Sequence, residues 1–141
     1  YCGVGTIGLS MVQPEQKLIG VEVVPSAVEN AKENALRAGV QNAEFLCADA
    51  GKAAQILAER GLRPDVVVLD PPRKGCDSAT LDAVVHMAPS RIVMVSCNPA
   101  TMARDAAVLR EKGYTLQCYR PVDLFPRTAH CECVLLMIKT E

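Results

Sequence analysis

No run of apolar residues in this sequence reaches the roughly 18 that a membrane-spanning helix needs, so no such helix and no membrane partner are expected. Basic residues are not in excess either. Fifteen Lys and Arg stand against sixteen Asp and Glu, for a formal net charge of -1. That excludes a segment that grips nucleic acid by charge alone. Seven cysteines fall at 2, 47, 76, 97, 118, 131 and 133 with no CxxC pair, which argues against a zinc ribbon and a disulfide framework. A reducing, cytoplasmic setting fits them best. Repeats, low-complexity stretches and internal linkers are missing, so residues 1–141 read as one domain. Also missing is a strand ahead of the glycine turn at residues 1–8. Such a turn needs one, so the expectation is that the chain is cut from a longer protein and that its first strand lies outside it.

What is present alternates. Lys17 to Val23 reads as a buried strand ending near Glu22, and Pro25 opens a helix carrying Val28, Ala31, Ala35 and Leu36, stopped by Gly39. Ala43 to Ala48 is a short strand, followed by Asp49 and a helix marked by Ala53, Ile56 and Leu57. Asp65 to Leu69, DVVVL, carries an uninterrupted β-branched run, which predicts a strand covered on both faces. Ser78 is the expected N-cap of a helix with Leu81, Val84, Val85 and Ala88 on one face. Arg91 to Val95 is the next strand, and Met102, Ala106 and Leu109 mark a further helix. Two strands close the chain, Tyr114 to Leu124 and Cys133 to Lys139. Alternation of this kind predicts an α/β fold, Rossmann-like, with a mostly parallel sheet, helices on both faces and an antiparallel C-terminal hairpin at its edge.

Four motifs sit where these strands end. Gly3-Val4-Gly5-Thr6-Ile7-Gly8 matches GxGxxG, a pattern that lets backbone approach a ligand closely, and Glu22 could accept bonds from ribose hydroxyls. Nicotinamide, flavin and S-adenosylmethionine folds share that logic. Asp49 could meet an adenine amino group or simply cap its helix. Asp70-Pro71-Pro72-Arg73-Lys74-Gly75 places a carboxylate on a rigid turn at the carboxyl edge of the sheet, where open α/β sheets bind ligands. Ser96-Cys97-Asn98-Pro99 puts a thiol at the next strand end, before a helix whose N-terminus offers positive charge to a thiolate. Glu132 opens an apolar strand, where a carboxylate suggests a base in a partly dry site. His130, Cys131 and Cys133 lack the spacing of a metal site, so no metal is expected.

Taken together, YCGVGTIGL, GVEVVPSAVENAKENA, DPPRKG, VSCNPAT and DLFPRTAHCECV resemble the catalytic domain of S-adenosylmethionine-dependent RNA uracil-5-methyltransferases. The resemblance implies that Cys97 is the nucleophile and Glu132 the base that removes the C5 proton. It implies that Tyr1, Gly3, Gly5, Glu22, Asp49 and Asp70 form the cofactor site, and that Asp70, Pro71 and Arg73 meet the uracil or its RNA. The implied chemistry is thiolate addition to C6, which makes C5 nucleophilic, then methyl transfer, proton removal and release of the thiol. The base would be flipped out of its RNA context. The implied substrate is RNA, ribosomal 23S RNA ahead of transfer RNA. In many members a preceding segment holds an RNA-binding part and a four-cysteine iron–sulfur site, and none of the seven cysteines here matches that cluster. Cys131 and Cys133 have no implied role. Arg73, Lys74, Arg104, Arg120 and Arg127 could line an RNA path. Three other functions compete. An amino-group methyltransferase would use the Asp-Pro-Pro turn without Cys97 or Glu132. A dinucleotide-dependent oxidoreductase would use only GxGxxG and Glu22. A non-catalytic RNA-binding module is disfavoured by the near-neutral charge.

Overall fold

A computed structural model describes residues 1–128 and 130–140. Their order is α1 (Thr6–Met11), β1 (Leu18–Glu22), α2 (Pro25–Arg37), β2 (Ala43–Cys47), α3 (Ala50–Glu59), β3 (Val66–Leu69), α4 (Ser78–Met87), β4 (Arg91–Ser96), α5 (Pro99–Glu111), β5 (Tyr114–Val122) and β6 (Glu132–Lys139). The chain divides into two compact units, Tyr1–Ala53 and the remainder from Ala54.

In the first unit β1 and β2 pair in parallel, from Leu18 opposite Ala43 to Glu22 opposite Cys47. The residues ahead of α1 lie along β1 as well, since the Tyr1 amine and the Cys2 N–H both donate to the Val21 carbonyl, at 2.8 and 2.9 Å. Helix α2 turns Val28, Ala31 and Ala35 inward at helical spacing, and with Phe45 they form the core. Leu36, which the sequence pattern placed on that face, is exposed instead. It sits one position past Ala35, roughly 100° around the helix.

The second unit holds a four-stranded sheet in the order β3-β4-β6-β5. β3 and β4 run parallel, whereas β6 runs antiparallel to both β4 and β5. The closing pair is the antiparallel hairpin that the sequence predicts, but β6 enters between β4 and β5, so of that pair β5 alone lies at the sheet edge. Burial alternates strictly along β4 and β6, which places Ile92, Met94, Ser96, Cys133, Leu135 and Met137 on one buried face.

Three local expectations change. β3 is not covered on both faces: Val66 is exposed and only Leu69 is buried. It lies at the end of its sheet, with one neighbouring strand. The cap of α4 is Asp77, not Ser78, because its carboxylate reaches the Thr80 N–H at 2.7 Å, and Ser78 becomes the first helical residue. On α5 the buried face is Met102, Asp105 and Leu109, with Asp105 taking the place expected of Ala106.

Candidate functional site

The strand register decides which side chains share a rim. Ser96 of β4 lies opposite Cys133 of β6. One step further along the same antiparallel register sets position 97 opposite position 132. Leu69 lies beside Met94 in the parallel pair, so Asp70 comes level with Val95. Asp70, Cys97 and Glu132 thus lie at one end of the four-stranded sheet, although they are far apart in sequence.

Their environments differ. Cys97 is half-buried and directly precedes Asn98, the cap of the 13-residue helix α5, whose side-chain oxygen accepts from the Ala100 N–H at 3.2 Å. Glu132 is half-buried on the strand. Burial pushes its carboxyl above the usual range, and the Asp70 charge pushes it further the same way. Asp70 stays open to solvent at the rim, yet the protein around it desolvates its carboxyl enough to raise it too. Pro71 is buried behind it. A carboxyl raised in this way holds and releases a proton nearer neutrality than an ordinary glutamate, as a general base requires.

The turn carrying Asp70 is fastened to α5 by side chains to which the sequence reading gave no such fastening role. Asn98 Nδ2 and Thr101 Oγ1 both donate to the Arg73 carbonyl, at 2.9 and 3.2 Å. Arg104 Nη2 donates to the carbonyls of Lys74 and Cys76. Asp105, fully buried, accepts from the Cys76 N–H at 2.7 Å and from Arg104 at 2.7 and 2.9 Å. Gly75 sits at φ 81, and a Cβ there would come 2.5 Å from Arg104 Nη2 and 2.6 Å from Asp105 Oδ2, so the turn closes only around glycine. Arg104 therefore serves this clamp, with its side chain still 55% exposed. The legible signal was Asp105 itself, a carboxylate between Met102 and Leu109 on an apolar stripe.

Burial pushes the Cys76 thiol up to about 12, helped by the Asp105 and Asp77 charges, so it is inert packing. Cys133 is buried with its sulfur 3.0 Å from the Tyr119 hydroxyl, and Cys131 lies against the Val122 and Glu132 carbonyls. Cys133 belongs to the strand that carries Glu132, and Cys131 immediately precedes it.

The first unit builds a different rim. Gly3 and Gly5 adopt φ 52 and 83, and a Cβ on Gly3 would project into open space. Glu22 Oε2 accepts from the Gly3 N–H at 2.9 Å, and Oε1 accepts from Val23 and Val24 at 2.8 and 3.1 Å. Burial alone would raise this carboxyl, but the three backbone donors, Gly3 first, pull it below the usual range. A carboxylate has about four acceptor sites, so capacity for ribose hydroxyls remains. Asn34 of α2 also reaches the turn, donating to the Val4 carbonyl at 3.0 Å. Asp49 caps α3 by accepting from the Lys52 N–H at 2.9 Å. Tyr1 holds its place through its backbone amine on Val21. An open glycine turn beside a fixed, ionised carboxylate fits the adenosyl and amino-acid ends of S-adenosylmethionine.

Comparison with known proteins bears on both rims. The family model described as tRNA (uracil-5-)-methyltransferase matches residues 1–140. An uncharacterized RNA methyltransferase of Bacillus cereus is 50% identical over 141 residues, covering 100% of this chain and 31% of its own. One of Clostridium acetobutylicum is 45% identical over 141 residues, again 100% of this chain and 31% of its own. Among solved structures, the Pyrococcus abyssi tRNA (uracil-54, C5)-methyltransferase in complex with S-adenosyl-L-homocysteine aligns with a TM-score of 0.81 at 31% identity, covering 98% of this chain and 33% of that one. The chain thus spans about a third of the length of these relatives. A precorrin-6y C5,15-methyltransferase of Geobacter metallireducens, at 17% identity and a TM-score of 0.77, with 98% of this chain and 76% of that one covered, shares the fold. The resemblance first seen in the strand-end motifs is the family that matches nearly the whole chain: this protein belongs to the tRNA (uracil-5-)-methyltransferase family.

Proposed function

We propose that residues 1–141 act as one catalytic domain, which methylates C5 of a uridine in RNA through a covalent bond between Cys97 and C6. The observation that carries this reading is the shared rim of Asp70, Cys97 and Glu132, set by the register of β3, β4 and β6. Cys97, as thiolate, adds to C6 and places electron density at C5. S-adenosylmethionine, when bound, supplies the methyl group that C5 receives. Tyr1, Gly3, Gly5, Glu22, Asp49 and Asp70 are the residues proposed to hold it. Glu132 then takes the C5 proton, and the returning electron pair expels the Cys97 thiolate. Asp70 orients the uracil, backed by Pro71, and Arg73 meets the RNA. Ribosomal 23S RNA is the first substrate to test. Transfer RNA, named for the Pyrococcus abyssi enzyme, is the second. The proposed setting is the cytoplasm, where thiols stay reduced.

The test uses the whole protein with RNA transcripts carrying 5-fluorouridine, plus S-adenosylmethionine, read on a denaturing gel. Fluorine cannot leave as a proton does, so the protein stays attached to the RNA. The expected result is a shifted band that Cys97→Ala abolishes. Methyl transfer to ordinary RNA without any shifted band would overturn the covalent mechanism and favour an amino-group methyltransferase.

A further inference from the structure

The fluorouridine chemistry concerns one base, whereas the rim has a neighbouring feature that no step of it uses. Arg73 leaves the Asp-Pro-Pro turn from a fixed point, since its carbonyl is held by both Asn98 and Thr101. Its guanidinium is exposed and meets His130, with Nη2 at 2.9 Å from Nδ1 and 3.2 Å from Nε2. Among the described residues, no carboxylate pairs with Arg73. Guanidinium has five N–H donors, and an imidazole occupies few of them.

His130 in turn meets Phe125 edge to face, with centroids 6.2 Å apart and planes at 80°. Phe125 is 38% exposed. The two rings are fixed by a tight turn. The Thr128 hydroxyl donates to the Phe125 carbonyl at 2.8 Å and accepts from the His130 N–H at 3.2 Å. Arg127 within it stands at φ 65, a left-handed conformation that non-glycine residues adopt at an energetic cost and that collects at functional loops. His130 lies two residues before Glu132, and Arg73 three after Asp70. A guanidinium with donors left over beside two presented rings matches the two parts of a nucleotide, phosphate and base face.

We infer that Arg73, His130 and Phe125 form a subsite for the RNA nucleotide adjoining the target uridine, with Arg73 on its phosphate and the two rings against its base. This rests on the proposed function and extends it. A flipped uridine leaves a neighbour unstacked, and the rings replace the lost stacking.

The experiment measures how the rate of fluorouridine trapping by the whole protein depends on the concentration of a short RNA centred on the trapped site. Three versions are compared: intact, with the base of each neighbour removed in turn, and with each neighbouring phosphate replaced by an uncharged methylphosphonate. Phe125→Ala and His130→Ala are expected to raise the half-saturating concentration about tenfold on intact RNA. On one of the base-deleted RNAs their effect vanishes. Arg73→Gln weakens intact RNA similarly and loses its effect on one methylphosphonate RNA. Phe125→Tyr, which keeps the ring, restores wild-type behaviour. Unchanged half-saturation, or equal losses on all three RNAs, overturns the subsite. So does a loss seen only in the rate at saturating RNA, which would make these residues supports for Glu132. If wild-type protein traps no RNA, the proposed function fails instead. Fluorescence anisotropy with the same RNAs, in which the same pattern of losses is expected, then decides the subsite alone.

Discussion

Glu22 and Glu132 are the same residue type at the rims of two sheets, and the protein drives them in opposite directions. Glu22 closes β1, takes three backbone N–H donors and is held ionised. Glu132 opens β6, is half-buried beside the Asp70 charge, and is held closer to protonation. Strand-end position therefore does not assign a role. The donors around the carboxylate do: a ring of N–H groups makes a fixed acceptor for a ligand, whereas burial with a like charge makes a group that can take a proton.

The comparison breaks most clearly at Glu132. Glu132→Gln should lower turnover to released methylated RNA by about 10²–10⁴-fold, while methylated Cys97 adducts accumulate on ordinary RNA because the C5 proton stays in place. A denaturing gel of the variant with unsubstituted RNA checks this, and an absence of adduct would mean that another group removes the proton. Glu22→Gln should do the opposite. Its neutral side chain loses charge-assisted bonds from backbone, so S-adenosylmethionine should bind about tenfold more weakly by calorimetry. Trapping at saturating cofactor should persist.

The rims also differ in how they are fastened. The Gly3 turn is tied to Glu22 through backbone N–H, whereas the Asp70 turn is tied to α5 through side chains and a buried carboxylate. Asp105→Ala should destabilise the protein by about 3–5 kcal/mol, seen in urea unfolding, because the Cys76 N–H and Arg104 lose a buried partner. Asp49→Ala, which removes only an exposed cap on α3, should lower stability by about 1 kcal/mol. The smallest effect sharpens the electrostatic half of the comparison. Asp70 raises the Glu132 carboxyl, so Asp70→Asn should lower it. A base works only when ionised, and the acid limb of the pH–rate profile should therefore move to lower pH. An unmoved limb would separate Asp70 from the base.

Much of this was legible because it is local. GxGxxG, the Asp-Pro-Pro turn and the thiol after an apolar run each declare a strand end through backbone chemistry and hydrophobic pattern. Helix α2 followed from Pro25, the apolar spacing and Gly39. Less legible were features set by competition between neighbours. Asp77 took the cap from Ser78 because its carboxylate reached Thr80, and Asp105 took the inward position from Ala106 because the Cys76 N–H needed an acceptor. The partners involved lie 29 residues apart in the second case, beyond any spacing rule.

The sequence by itself determined the element types, the strand-end placement of Cys97 and Glu132, and the family. Those depend on periodicity, turn chemistry and motif order, all carried along the chain. Only the tertiary structure decided that β6 enters between β4 and β5, which puts position 132 opposite position 97. It alone set opposite proton affinities on two glutamates and brought Arg73 against His130, 57 residues away. Register, burial and through-space charge arise from chain segments meeting in three dimensions, and no single segment encodes its partner's distance.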